Sequence, residues 1–221
     1  MTSDRKKQLA SLDKLLTIMD ELREKCPWDQ KQTFESLRHL TIEETYELGD
    51  AILDKNLEEI KGELGDLLLH IIFYSKIASE THDFDISDVA EAISKKLVFR
   101  HPHVYGDVSV ADEEAVKKNW EKLKLKEGKK SVFEGVPKSL PALVKASRIQ
   151  DKAAGVGFDW KDIKDVKTKL DEELDELQSE VMLGSFDRQE AEFGDVLFSM
   201  INYARFLGIN AEDALERTNK K

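Results

Sequence analysis

Two short acidic stretches decide the fold: residues 43–47 read Glu-Glu-Thr-Tyr-Glu, and residues 63–66 read Glu-Leu-Gly-Asp. Apolar residues recur at three- and four-residue spacing around both stretches, which predicts helices. Side chains three positions apart point the same way on a helix, so Glu44 and Glu47 share one face. The Glu and the Asp of the second stretch share a face for the same reason. The two stretches therefore predict a helical hairpin that carries four carboxylates.

The same pattern occurs again further along the chain, where residues 172–176 read Glu-Glu-Leu-Asp-Glu and residues 192–195 read Glu-Phe-Gly-Asp. Both copies have the same spacing and the same glycine before the aspartate. An internal repeat of this kind predicts two related structural modules. We call the two sets of carboxylates the first quartet (Glu44, Glu47, Glu63 and Asp66) and the second quartet (Glu173, Glu176, Glu192 and Asp195).

The rest of the chain predicts an all-α protein. Charged residues make up 36% of the 221 residues, and the chain has 11 glycines and 4 prolines, a composition typical of long helices with charged surfaces. The apolar periodicity predicts helices over residues 8–25, 33–53, 57–82, 88–100, 113–126, 143–153, 162–183, 187–207 and 211–219. We expect a first repeat over residues 1–130, a linker over 131–147 and a second repeat over 148–221. The second repeat is the shorter one at its C-terminal end.

Charge and hydropathy exclude several classes of function. The net charge of −11 argues against binding to DNA or RNA, whose phosphates select basic surfaces. The longest apolar run, residues 67–74, is too short to span a membrane. A single cysteine, Cys26, rules out an internal disulfide and fits a reducing compartment. We therefore expect a cytoplasmic protein with no membrane partner and no nucleic-acid polymer as partner.

The first quartet has a composition that suits a magnesium ion. None of its members has a Lys or Arg four residues further on, and the helix that follows Asp66 is apolar on nearly all sides. Clustered carboxylates beside a buried helix must be protonated or neutralised. Oxygen-only ligands favour Mg²⁺, with Mn²⁺ as a possible substitute, and Mg²⁺ is commonly held by carboxylates together with substrate phosphates. A solvated acidic helix face is the alternative that the spacing leaves open.

Further motifs connect the quartets to a known family. Residues 26–29 read Cys-Pro-Trp-Asp, 100–104 read Arg-His-Pro-His-Val, 140–143 read Leu-Pro-Ala-Leu, and 157–160 read Gly-Phe-Asp-Trp. Together with the quartets, these motifs closely resemble the MazG-type nucleoside triphosphate pyrophosphohydrolases through essentially the whole chain. The resemblance implies two related helical repeats that pack as four-helix bundles in a homodimer or a larger homo-oligomer. It also implies Mg²⁺-dependent cleavage of nucleoside triphosphates to nucleoside monophosphates and pyrophosphate, which serves to clean the nucleotide pool.

The resemblance also assigns roles to individual residues. It implies that all eight carboxylates of the two quartets are metal ligands. A carboxylate not fully occupied by metal can orient the attacking water or accept its proton, and our candidates for this role are Glu47 and Glu176. It implies that Lys96, Arg100, Trp120 and Lys124 surround the nucleotide, and Lys221 matches the position of Lys96 in the second repeat. For Trp120 the alternative is that the ring covers the dimer seam. For His101 and His103 a rigid loop that ends a helix is favoured over a metal site.

A hypothesis of another class is a non-catalytic helical protein that senses nucleotides or regulates a partner. The presence of all eight quartet carboxylates argues against it, since a chain without catalytic function would be expected to lose some. The repeats also differ in the residues on the C-terminal side of each quartet. Lys96, Arg100, Trp120 and Lys124 follow the first quartet, whereas only Lys221 follows the second. The sequence therefore predicts that activity depends more on the first quartet than the family resemblance implies.

Overall fold

The computed structural model describes residues 2–109, 112, 116, 119–120, 123 and 131–221. Within these ranges the protein is helical and contains no strand, which confirms the predicted fold class. The predicted helix over residues 113–126 lies largely outside the described residues. The helices are α1 (Ser3–Lys25), α2 (Phe34–Leu53), α3 (Leu57–Glu80), α4 (Ile86–Arg100), α5 (Pro102–Tyr105), α6 (Ala142–Gly155), α7 (Ile163–Leu183), α8 (Phe186–Phe206) and α9 (Ala211–Asn219).

The chain forms two compact units, Met1–Phe99 and Arg100–Lys221. Each unit is built around a helical hairpin, which is α2 with α3 in the first unit and α7 with α8 in the second. A further helix packs on the second arm of each hairpin: α1 on α3, and α6 on α8. The two units thus repeat the same helix pairing. None of the described helices is long and apolar enough to cross a membrane.

Polar side chains at the predicted positions start the helices of both hairpins. Thr33 and Ser36 form a capping box at the start of α2, in which Ser36 Oγ accepts from the Thr33 amide at 2.8 Å. Asn56 accepts from the first amides of α3, and Asp162 accepts from the Lys164 amide at 2.8 Å at the start of α7. The predicted loop at His101 is instead followed by a short helix, because Pro102 at its first position already has a helical φ.

The core of the first unit is apolar. Met19, Leu37, Ile72 and Phe73 are buried together where α1 crosses the hairpin, and partly buried leucines surround them. Arg23 then fixes the loop after α1, because its guanidinium donates to both oxygens of Glu80 and to the backbone carbonyl of Gln32. Burial of this apolar cluster is the main force that stabilises the hairpin.

The second unit buries polar side chains as well as apolar ones. Val166, Leu170 and Ile201 are buried, and so are Gln150 and Lys152 of α6. Lys152 Nζ donates to the Val132 carbonyl at 3.1 Å, which ties α6 to the segment before it. At the tip of the hairpin Gly184 leaves room for the preceding turn, because a Cβ there would lie 2.8 Å from the backbone carbonyl oxygen of Glu180.

Candidate active site

The hairpin of the first unit brings the carboxylates of the first quartet together. Glu44 comes from α2, Glu63 and Asp66 come from α3, and one oxygen of each lies within 4.8 Å of the others. Glu47 lies one turn after Glu44, is exposed, and has its carboxyl group in contact with that of Glu63. The spacing in the sequence therefore produces a convergent set of oxygen atoms.

The carboxylates of the first quartet repel one another, and two of them, Glu44 and Glu63, are partly buried. The pKa of Glu44 is raised by partial burial and then by the neighbouring charges of Asp66 and Glu47. Burial and the charges of Glu44 and Asp66 likewise raise the pKa of Glu63. Glu63 Oε2 is shielded from solvent and has no hydrogen-bond donor among the described residues. A shielded oxygen without a donor leaves a negative charge that a cation would satisfy.

The second hairpin repeats this arrangement with one difference. Glu173 and Glu176 of α7 and Glu192 of α8 converge, with one oxygen of each within 4.8 Å of the others. The pKa of Glu192 is raised by burial, and then by the charges of Glu176 and Asp195. Asp195 therefore lies close enough to repel Glu192, although it is outside the cluster of converging oxygens.

The residues present in both quartets fit a divalent cation. The converging ligands are oxygen atoms of carboxylates, with no His or Cys among them. Such ligands suit Mg²⁺, Mn²⁺ or Ca²⁺ and do not suit structural zinc. In the first quartet Glu63 Oε2 has no donor among the described residues, and the pKa of Glu63 is raised; in the second quartet the pKa of Glu192 is raised although Lys169 pairs with Glu173. Each quartet can therefore hold a metal ion.

The other predicted site residues are brought together only in part. Lys96 is exposed on α4, and Arg100, the last residue of α4, holds its guanidinium carbon 6.0 Å from the centre of the Trp120 ring. His101 contacts the same ring edge-on, with the ring centres 4.9 Å apart. Arg100 and Trp120 are thus neighbours, as a cation and a ring that stack. Lys124 lies outside the described residues, and Lys221 is exposed at the end of the chain.

Two cavities of the second unit share part of their lining, and the smaller one is lined by Glu173 of the second quartet. The smaller one, about 180 Å³, reaches from Glu173 and Lys169 to Trp160, Phe198 and Asn202. The larger one, about 460 Å³, shares those last three residues and continues to Gln150 of α6. The ion pair between Arg205 and Asp159 lies at its edge. Glu173 is thus the member of the second quartet that lines a cavity, and the neighbouring larger cavity has a size typical of small-ligand sites.

Comparison with known proteins agrees with this geometry. The family model for the MazG nucleotide pyrophosphohydrolase domain matches residues 32–105 and 162–221. These two segments contain both hairpins and all eight quartet carboxylates. The chain belongs to the MazG nucleotide pyrophosphohydrolase family.

Individual members of the MazG family match along most of the chain. The nucleoside triphosphate pyrophosphohydrolase of Escherichia coli (strain K12) is 44% identical over 219 residues, which are 95% of this chain and 83% of that protein. A nucleoside triphosphate pyrophosphohydrolase/pyrophosphatase MazG of Thermotoga maritima is 45% identical over 215 residues, 95% of this chain and 81% of that protein. The crystal structure of a mazG-related protein from Thermotoga maritima is 26% identical, covers 51% of this chain and 98% of that one, and has a TM-score of 0.45.

Three polar residues of this MazG-family chain were missed by the sequence analysis. Lys169 binds Glu172 and Glu173 through Nζ at 3.0 Å, and these hydrogen bonds raise the pKa of Lys169. Gln150 and Asn202 line the larger cavity. The spacing of Lys169, four residues before Glu173, could have identified it. No local pattern identifies the two amides, because they matter only through the pocket that distant helices form.

Proposed function

We propose that this protein hydrolyses nucleoside triphosphates to nucleoside monophosphates and pyrophosphate with the help of Mg²⁺, as a housecleaning enzyme of the nucleotide pool. The supporting observation is that both hairpins bring oxygen atoms of three carboxylates within 4.8 Å of one another in a chain of the MazG family. Nucleoside triphosphates are intracellular compounds, so this reaction agrees with the cytoplasmic location that the sequence predicts.

The quartets would hold the metal through Glu44, Glu47, Glu63 and Asp66, and through Glu173, Glu176, Glu192 and Asp195. When bound, Mg²⁺ neutralises phosphate charge and lowers the pKa of a bound water, and Mn²⁺ could replace it. Glu47 and Glu176 are both exposed on the hairpin surface. That position suits a carboxylate that contacts the substrate side of the site and orients the attacking water.

The proposed reaction balances without a further co-reactant. The oxygen of water attacks the α-phosphorus, and its proton goes to Glu47 or Glu176 as the general base. The bond between the α-phosphorus and the oxygen that bridges it to the β-phosphorus breaks, and pyrophosphate leaves with that oxygen. The carboxylate then returns the proton to solvent.

Basic and aromatic residues would bind the rest of the substrate. Lys96, Arg100, Lys124 and Lys221 are the candidates for the phosphates, and Trp120 is the candidate for stacking on the base. The contact of Arg100 with the Trp120 ring supports this role for the pair, because a cation and a flat ring side by side match a phosphate and a base.

We also propose that the protein acts as a homodimer or a larger homo-oligomer. Each hairpin leaves apolar side chains half exposed, among them Tyr46 and Leu64 in the first unit and Phe193 and Leu197 in the second. Apolar faces of this kind on two-helix hairpins are stabilised by a second copy that completes a four-helix bundle. Sedimentation equilibrium would give twice the mass of the chain or a higher multiple.

The deciding experiment measures the products from ATP in water labelled with oxygen-18, with Mg²⁺ and with chelator. We expect AMP that carries the label, unlabelled pyrophosphate, and no reaction in chelator. Label in orthophosphate would mean attack at the γ-phosphorus and would contradict the proposal. A protein that binds ATP but releases no pyrophosphate would instead be the non-catalytic sensor.

A further inference from the structure

The larger cavity of the second unit lies where the first unit has its apolar core. When the two repeats are aligned so that Glu173 falls on Glu44, Asn202 of α8 corresponds to Phe73 of α3. The helices α1 and α6 align through a shared Ile-x-Asp pattern, which matches Ile149-Gln150-Asp151 with Ile18-Met19-Asp20. Gln150 therefore corresponds to Met19. In the first unit both positions are buried and apolar, whereas in the second unit both hold amides that line a cavity of about 460 Å³.

The other members of this core stay apolar. In the same alignment of the hairpins, Leu37 and Ile72 correspond to Val166 and Ile201, and all four are buried. Of the four fully buried core positions, the two that become amides are thus the two that line the larger cavity, and Leu40, which packs against the first core, corresponds to Lys169 beside the smaller cavity. A change that is selective for the cavity wall points to a ligand, since buried amides without partners destabilise a core.

Gln150 has an oxygen atom that no described residue satisfies. The side chain is only 6% exposed, and its Nε2 donates to the Phe198 carbonyl at 2.9 Å. Because Nε2 must face that carbonyl, Oε1 is the other end of the amide. Gln150 Oε1 is shielded from solvent and has no hydrogen-bond donor among the described residues. It is a buried acceptor in the wall of a cavity.

Asn202 offers a hydrogen-bond donor, whereas Gln150 offers an acceptor. Its Oδ1 accepts from Arg205 Nε at 3.1 Å and from a terminal nitrogen of the same guanidinium at 2.8 Å. Arg205 is itself held by Asp159, which accepts from its other terminal nitrogen at 3.0 Å. The Asn202 oxygen is thus occupied, and its Nδ2 is the end of the amide that can donate. The ion pair neutralises the charges at this edge of the cavity.

If the phosphates of a substrate lie at the second quartet, the larger cavity lies where the opposite end of that substrate would be. Val166 and Lys169 lie seven and four residues before Glu173, on the same face of α7. At about 1.5 Å per residue, the smaller cavity spans roughly 10 Å along the helix from Glu173 to Val166. Trp160, Phe198 and Asn202 line both this cavity and the larger one. One molecule can therefore reach from the carboxylates to Gln150.

We propose that, for a triphosphate whose phosphates lie at the second quartet, the larger cavity binds the nucleobase and Gln150 Oε1 accepts a hydrogen bond from an N–H group of that base. Stacking on Trp120 is the proposal for a triphosphate at the first quartet. This inference rests on the proposed function and adds the residues that recognise the base. The aromatic rings of Phe133, Phe158, Trp160 and Phe198 supply flat apolar surfaces for the base. Asn202 supplies a donor for a ring nitrogen or carbonyl beside the N–H group. Every natural nucleobase carries an N–H donor, so the acceptor admits all of them.

The test compares ATP with purine riboside triphosphate, which lacks the amino group and has no other N–H on its base. We expect the intact chain with Mg²⁺ to have a kcat/KM about fivefold to tenfold higher for ATP, which is the effect of one ordinary hydrogen bond. Gln150→Met introduces the residue that the first unit has at this position and removes the acceptor. In this variant the ratio of the two kcat/KM values is expected to fall to about one.

The control is Asp151→Asn, which changes an exposed neighbour on α6 and is expected to keep the ratio of the unchanged chain. A ratio that is the same in Gln150→Met, or a ratio near one in the unchanged chain, would overturn the base contact. Absence of pyrophosphate release from either triphosphate would overturn the proposed function itself, a distinct result. A measurement that needs no variant is inhibition of the intact chain by nucleosides. Adenosine is expected to inhibit more strongly than purine riboside, and equal inhibition constants would refute the contact.

Discussion

The two units differ at the place where a third helix crosses the hairpin. The first unit fills this place with Met19 and Phe73, which are 1% and 2% exposed. The second unit has Gln150 and Asn202 at the corresponding positions, and a cavity lies against them. Both units still carry a complete carboxylate quartet.

The repeat could be expected to give both units the same packing at this crossing and the same room for a ligand, but the two units differ in both properties. A filled apolar core stabilises the first hairpin, but it leaves no room for the base of a nucleotide beside the quartet at this crossing. The amides of the second unit, one on α6 and one on α8, give up apolar contacts, which weakens the local packing, and line a cavity. The first unit thus has the more stable crossing, and the second has the crossing at which we propose that a ligand binds.

The largest expected effect is on stability. Phe73→Ala removes a fully buried ring from the first core and should lower the free energy of unfolding by about 3–5 kcal/mol. Asn202→Ala at the corresponding position removes the acceptor of two hydrogen bonds from the Arg205 guanidinium and should cost about 1.5–3 kcal/mol, the value for hydrogen bonds to a charged group. Urea unfolding followed by circular dichroism measures both. Equal losses would mean that the second crossing is packed as tightly as the first.

A smaller effect is expected on activity, and its measurement tests which quartet catalyses the hydrolysis. The sequence alone favours the first quartet, since Lys96, Arg100, Trp120 and Lys124 follow it. The cavity beside Glu173 now favours the second quartet, because positioning supplies much of the catalysis in phosphate transfer. We expect Asp195→Asn to lower kcat for ATP about 100-fold, or about 2.7 kcal/mol, and Asp66→Asn to lower it only several-fold. A larger loss of kcat in Asp66→Asn than in Asp195→Asn would support the sequence-based expectation. It would also mean that the cavity is not part of the active site.

Local rules were sufficient for the helices and for the convergence of the quartets. The helix starts at Thr33 and Asn56 follow from side chains that cap their own amides. Glu44 and Glu63 meet because spacing fixes the face of each helix and the hairpin fixes the pairing. A residue's own sequence neighbourhood is enough for such predictions.

The pocket could not be predicted in the same way. Gln150 lies on a helix with an ordinary amphipathic pattern, and Asn202 lies in the last two turns of α8. The two amides point to a pocket only when their positions are aligned with the apolar positions of the first repeat. The packing of α6 on α8 must also be known. The contact of Arg100 with Trp120 likewise depends on a chain path that spacing does not fix.

Metal binding should raise the melting temperature of both hairpins. Mg²⁺ or Mn²⁺ removes the repulsion among crowded carboxylates and binds only the folded site, so the melting temperature should be several degrees higher than in chelator. The double variant Glu63→Gln with Glu192→Gln should abolish this increase, and each single variant should leave part of it. Differential scanning calorimetry measures the change. An increase that persists in the double variant would place the cation elsewhere.

The smallest expected effect is a pH dependence of stability in the absence of metal. The pKa values of Glu44, Glu47 and Glu63 in the first quartet and of Glu192 in the second are raised by burial and then by neighbouring carboxylates. A carboxyl group whose pKa is raised on folding binds more protons in the folded state than in the unfolded state. The free energy of unfolding therefore falls as the pH rises from about 4.3, the ordinary pKa of glutamate, through the raised values.

The double variant Glu63→Gln with Glu192→Gln separates the pH dependence that the quartets cause from that of groups whose pKa is lowered on folding. Glu80 has a lowered pKa because Arg23 donates to its carboxylate, and Glu35 has a lowered pKa because backbone and Thr33 donors bind it. These groups stabilise the fold as the pH rises, and they are the same in the chain and in the variant. We therefore expect the melting temperature in chelator to fall more steeply between pH 4.5 and pH 7 in the unchanged chain than in Glu63→Gln with Glu192→Gln. Saturating Mg²⁺ should remove most of the difference, because ligated carboxylates no longer repel one another. Parallel curves in chelator would mean that the quartets carry no excess proton affinity, and that their charge is neutralised by the protein without a metal.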